Sequence, residues 1–155
     1  LNIRFYISLF LLMAGVALPA HAVDSNALLQ LKMEAGNRAL AGDYQGAIRL
    51  YDQILSIDNA SGDVYVQRAL MYRELGDVTK SMSDAAIALD LINRKFAEGA
   101  QKASLYHQRA NAQRLLRKFP EAKQDMETAI QMSRSNKWTP DLQAIYLEEK
   151  IYVNK

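Results

Sequence analysis

The sequence predicts an all-α solenoid: three stacked helix–turn–helix repeats, a C-terminal capping helix, and a signal peptide in front. Three observations carry this. Gly42-Asp43 recurs as Gly76-Asp77, each between two stretches with helical apolar spacing. Ala47 and Ser81 keep the same interval on the downstream stretches. A fixed period of this kind, about 34 residues, marks a repeat architecture of paired helices. The third observation is an uncharged run, Phe5–Leu18, that resembles nothing later in the chain.

That run sets apart residues 1–22. Arg4 supplies a short basic head, Pro19 breaks the run, and Ala20-His21-Ala22 places small residues where a signal peptidase reads them. The run is shorter than the roughly 20 residues a membrane span needs. The expectation is a cleavable signal peptide, a helical domain over residues 23–155, and no stable span after cleavage. Export to the periplasm follows. Secretion, or an inner-membrane anchor through an uncleaved signal, is the alternative address.

The first repeat covers about residues 29–62. Ser25 or Asn26 caps its first helix, and Leu28, Leu31, Ala35 and Ala39 share a face. Tyr44, Ala47, Ile48, Tyr51, Ile54 and Leu55 form the apolar face of the second helix, and Asp58–Gly62 ends it. Counted from Gly36, this unit reads one residue short before Tyr44.

The second repeat covers about 63–102. Tyr65, Ala69 and Tyr72 line its first helix; Val78, Ser81, Met82, Ala85, Ala88 and Leu89 line its second. The third covers about 103–136, with Tyr106, Ala110 and Gln113, then Phe119, Ala122, Met126, Ala129 and Ile130. Ala122 follows Ser81 at a wider interval than Ser81 follows Ala47, so seven are inserted between Leu91 and Lys102. They lengthen the second helix of unit two, the first helix of unit three, or both, with a break near Gly99. The third turn, Arg117-Lys118, lacks the glycine. A last helix is read over 139–153, with Thr139 as N-cap, Pro140 at the first helical position, and Leu142, Ile145, Tyr146 and Tyr152 spaced to cover the last repeat.

These residues resemble the tetratricopeptide repeat family over roughly residues 29–132. Ala69, Gly76, Ala110 and Ala122 sit where that family packs small side chains. Tyr65-x-x-Arg68-Ala69 and Tyr106-x-x-Arg109-Ala110 are near copies, as are Ser81-x-x-Asp84 and Ala122-x-x-Asp125. Arg68 with Asp84 and Arg109 with Asp125 therefore either bridge the two helices of a unit or face water, and their matched placement favours the bridge.

The resemblance implies a groove lined by the first helix of each unit. Carried over by position, it offers Lys32 and Leu40, then Val66, Leu70 and Arg73, then His107, Asn111 and Arg114. His107, Asn111 and Arg114 partly match a clamp that some relatives place on a C-terminal carboxylate.

Composition narrows the chemistry. A formal charge of +2 gives no basic stripe for nucleic acid. Without cysteine there is no thiolate chemistry. Once His21 leaves with the signal, His107 is the remaining histidine, so no His–His metal pair forms. No cofactor and no catalytic constellation is read. The expected role is a non-enzymatic adaptor binding another protein or peptide in the bacterial cell envelope. The alternative is a self-assembling structural protein, such as a homodimer through the C-terminal helix.

Overall fold

A computed structural model of the chain describes residues 25–133. The signal segment 1–22 and the capping helix 139–153 lie outside the described residues. Six helices follow in order: α1 Ser25–Leu40, α2 Tyr44–Ile57, α3 Gly62–Glu74, α4 Val78–Ala97, α5 Ala103–Leu115 and α6 Phe119–Met132. Each packs on the next, and α3 also touches α5. The protein is thus all-helical over the described residues, with odd-numbered helices as the first of each pair.

The turns explain the spacing. Gly76 adopts φ 78°, the left-handed region that glycine enters without penalty. Its N–H donates to the Arg73 carbonyl at 2.9 Å, and the Asp77 N–H donates to the Tyr72 carbonyl at 2.9 Å. This Schellman arrangement satisfies carbonyls that the end of α3 leaves open. The same aspartate then caps α4, its side chain accepting from the Lys80 N–H at 3.0 Å. Gly42 and Asp43 repeat both steps, with Asp43 accepting from the Gly46 N–H at 2.8 Å. One Gly-Asp pair therefore stops one helix and starts the next.

The third turn keeps this geometry without glycine. Arg117 itself takes φ 63°, and the Lys118 N–H donates to the Gln113 carbonyl at 2.9 Å. Lys118 makes no side-chain cap; Pro120, in the first turn of α6, has no N–H to leave unmet.

Six of the seven inserted residues go into one element, and the seventh falls in the connection after it. α4 runs 20 residues against 14 in α2 and α6, while α5 has 13. Gly99, at φ 87°, ends it. The extension carries Phe96, whose ring lies 4.8 Å from that of Tyr106 on α5.

The core is a string of clusters along the repeat boundaries rather than one centre. Val64 and Met71 of α3 pack with Tyr51, Ile54 and Leu55 of α2. Leu105 and Ala112 of α5 pack with Val66, Ala88 and Ile92. Within pairs, Ala35, Ala69, Ala110 and Ala122 are all 0% exposed, which lets the helix backbones approach closely. Gly62 serves the same end: a Cβ there would meet Ile92 Cγ1 at 3.1 Å.

This corrects the register of unit one. Ala35, one repeat period before Ala69, holds the close-packed place, whereas Gly36 has open space around it. The unit is not short; Gly36 is an incidental glycine beside the packing residue.

Candidate peptide groove and the arginine bridges

The first helices bring some of the candidate groove residues to the surface and bury others. Lys32 on α1 is half-exposed, and its Nζ lies 2.8 Å from Asp63 Oδ2 on α3. Arg73 on α3 is also partly exposed, with Nη2 3.4 Å from Glu74 Oε1. Leu40 stands almost fully in solvent at 90% exposure. His107 on α5 is partly buried, with Nε2 3.4 Å from Asn111 Nδ2.

Val66 is not a groove residue. It is 1% exposed and forms the seat on which Leu105 and Ala112 pack. Leu70 is partly buried against the same clusters. Asn111 and Arg114 are 4% and 6% exposed, within a run from Ala110 to Leu115 that is buried throughout. The physical reason is shared. A first helix is covered by its partner and by the neighbouring repeat, so fewer positions stay open than a single repeat suggests. The expected row of His107, Asn111 and Arg114 is thus not presented as an open clamp, and the Lys32 charge is already matched by Asp63.

The geometry that repeats lies instead in two arginine bridges. Arg68 Nε and Nη2 donate to the two oxygens of Asp84 at 2.7 and 2.8 Å, a fork-to-fork pairing across α3 and α4. Its Nη1 donates to Asp52 Oδ1 on α2 at 2.6 Å. Arg109 does the same: Nε and Nη2 to Asp125 at 2.6 and 2.7 Å, and Nη1 to Asn93 Oδ1 on α4 at 3.3 Å. The Arg109 guanidinium also sits 4.1 Å from the Phe96 ring centre, a cation–π contact. The hydrogen bonds to Asp84 raise the Arg68 pKa above its ordinary range, and those to Asp125 raise that of Arg109.

Each arginine therefore ties three helices, two from its own repeat and one from the repeat before. Asp52 and Asn93 escape a reading of the sequence by units because they belong to the preceding repeat. A signal was available: each stands 16 residues before its arginine.

Two cavities flank α5 and α6. A polar one of about 450 Å³ is lined by Arg109, Gln113, Glu121 and Thr128. Gln113 stands where Tyr72 stands in the repeat before, and the smaller side chain leaves the space. The second, of about 240 Å³, is lined mainly by Ala103, His107, Met126, Ala129 and Ile130. No group of three His, Cys, Asp or Glu gathers to hold a metal among the described residues. Nor is any described helix long and apolar enough to cross a membrane.

Comparisons with known proteins agree with this architecture. Residues 103–136 match the tetratricopeptide repeat family model. Serine/threonine-protein phosphatase 5 of rat and of human are each 29% identical over 108 residues, 70% of this chain. The chain spans only about a fifth of the length of these relatives. Among solved structures, the first repeat domain of human RPAP3 superposes with a TM-score of 0.55 at 26% identity, covering 83% of this chain and 96% of that one. The first repeat domain of Spaghetti, solved with the HSP90 peptide SRMEEVD, gives 0.54 at 25%, covering 86% and 98%. The Sgt2 domain of Aspergillus fumigatus gives 0.55 at 23%, covering 83% and 80%, a likeness of fold.

Proposed function

We propose that the chain, whose residues 103–136 match the tetratricopeptide repeat model and whose fold resembles solved tetratricopeptide repeat domains, is a non-enzymatic adaptor binding a peptide or protein segment along its first helices. The observation that carries this is the first-helix row. Lys32, Arg73 and His107 stay partly exposed on three successive first helices, and the bridges hold the two that carry Arg73 and His107 in fixed register. A row of spaced polar and cationic side chains suits an extended segment.

The Spaghetti domain, similar in fold and 25% identical, was solved with the acidic peptide SRMEEVD. That supports the same ligand class here: a peptide with carboxylates near its end. The carboxylate-reading groups would be Arg73 and, on exchanging its Asp63 partner for the peptide, Lys32, rather than Arg114, which is buried. The setting in this reading is the bacterial cell envelope, reached through the signal segment 1–22.

The test is fluorescence anisotropy with labelled SRMEEVD and a scrambled, amidated control. Binding of the acidic peptide that weakens at least about tenfold in Lys32→Glu/Arg73→Glu, a loss of about 1.4 kcal/mol, supports the row. Equal affinity for both peptides, or no effect of the double variant, overturns it.

A further inference from the structure

The polar cavity of about 450 Å³ beside α5 and α6 arises where the third repeat departs from the second at matched positions. In the second repeat the Tyr72 ring takes up this place. The Arg68 guanidinium lies 5.9 Å and the Lys80 ammonium 5.3 Å from its centre, both within cation–π reach. In the third repeat Gln113 replaces Tyr72 and Glu121 replaces Lys80. A ring and an ammonium are thus lost together. The counterparts of Tyr65, Arg68 and Asp84 are retained on the wall as Tyr106, Arg109 and Asp125.

Two observations say what the space would accept. The first is charge. The Asp77–Lys80 pair of the second repeat becomes Lys118 and Glu121, reversed in sign, and of these only Glu121 lines the cavity. With Arg109 against Asp125 and Glu121, the lining carries one negative charge in excess. An anion would meet both carboxylates and an arginine whose Nε and Nη2 are already held by Asp125. The second is an unmet acceptor. Gln113 is 8% exposed, and its Oε1 is buried without a hydrogen-bond partner. A buried acceptor in that state is costly and uncommon, and a bound donor relieves it.

We propose that this cavity binds an arylethylammonium group, an aromatic ring two carbons from a primary ammonium. The ring takes the place of Tyr72, beside Arg109 and Tyr106. The ammonium takes the place of the Lys80 head and donates to Glu121 and to Gln113 Oε1. A half-turn of the Gln113 amide exchanges Oε1 with Nε2 in the same shape and offers the oxygen to that donor. A free aromatic amine carries this group, and so does a protein chain that begins with tyrosine. Free tyrosine is excluded, because its carboxylate would meet the excess negative charge. The inference does not depend on the peptide reading.

The experiment is a titration of the full chain with tyramine, followed by NMR through the Gln113 side-chain amide and the Thr128 backbone amide. The expected Kd is about 1 mM, in keeping with so small a ligand. Para-ethylphenol, which keeps the ring and lacks the ammonium, and free tyrosine should each bind at least about tenfold more weakly, and Glu121→Gln should weaken tyramine by about as much. Gln113→Tyr, which restores the residue of the second repeat, should abolish the Thr128 shift and leave the helical circular dichroism unchanged. The peptide Tyr-Gly-Gly-amide separates the two sources. Affinity within about threefold of that of tyramine assigns the group to a chain terminus, and weaker binding assigns it to a free amine. Equal binding of tyramine and para-ethylphenol overturns the proposal. So does a Thr128 shift that survives Gln113→Tyr, or no shift at about ten times the expected Kd.

Discussion

At the scale of single residues, the Arg68 and Arg109 bridges separate two kinds of charge pair in the same protein. The Arg68 and Asp84 side chains are 17% and 7% exposed, and their geometry is bidentate. The Arg94–Asp90 pair on α4 is 69% and 60% exposed. Removing a partner from the first leaves a desolvated charge; removing one from the second exposes it to water. Asp84→Ala should therefore cost about 3 kcal/mol, while Asp90→Ala should stay within about 0.5 kcal/mol. Urea denaturation of Asp84→Ala, Arg68→Ala and the double variant closes the cycle. The double variant should be more stable than the sum of the singles implies by at least about 1 kcal/mol. Simple additivity would mean that the pair makes no net contribution beyond its separate contacts. The pairing itself was legible in the sequence, because Arg68/Asp84 and Arg109/Asp125 repeat with one spacing. The burial of Val66, Asn111 and Arg114 was not. It depends on contacts between repeats, and a motif read one repeat at a time holds no information about the repeat that packs on it.

At the scale of elements, the aspartates of the turns join helix termination to pH. The Asp43 carboxyl lies below its ordinary pKa through the Gly46 N–H and then Arg38, and that of Asp77 through the Lys80 N–H and then the Lys80 side chain. Asp58, at the end of α2, is lowered through its hydrogen bond from the Ser61 hydroxyl. A carboxyl whose pKa is lower in the folded than in the unfolded state stabilises the fold above the unfolded value. That contribution is lost as pH falls through the folded value. The unfolding midpoint should thus hold steady near neutrality and fall once pH drops below about 4. Asn caps a helix about as well as Asp but does not ionise. Asp43→Asn/Asp77→Asn should therefore flatten this acid limb while leaving the same helices in place by circular dichroism. An unchanged limb would assign the acid sensitivity to other carboxylates. These Gly-Asp turns were evident from the sequence, but their double duty was not: only the backbone shows one residue closing a helix and opening the next. Arg117 shows the limit of reading turns from glycine, since it adopts the same left-handed backbone with a full side chain.

At the scale of the whole molecule, the bridges are unevenly distributed, and this sets how the array opens. Arg68 reaches back to α2 and Arg109 reaches back to α4, so the two inner boundaries are each tied by a partly buried arginine. The position one repeat period before Arg68 is Glu34, and α1 has no arginine of this kind. Among the described residues α1 is held by the apolar cluster around Ala35 and by the half-exposed Lys32–Asp63 pair to α3. In a solenoid each repeat is stabilised by its neighbours alone, so a weaker terminal boundary frays without opening the rest. Amides of α1 should then exchange at least about tenfold faster than those of α3 and α4. Asp63→Asn removes that charge link from α3 to α1. An exposed pair of this kind contributes roughly 0.5 kcal/mol, so α1 exchange should quicken a further two- to threefold, while α5 and α6 keep their rates. If α1 and α6 instead exchange together, and Asp63→Asn accelerates both, the three repeats unfold as one cooperative body. The bridges would then fix local geometry without setting the order of opening.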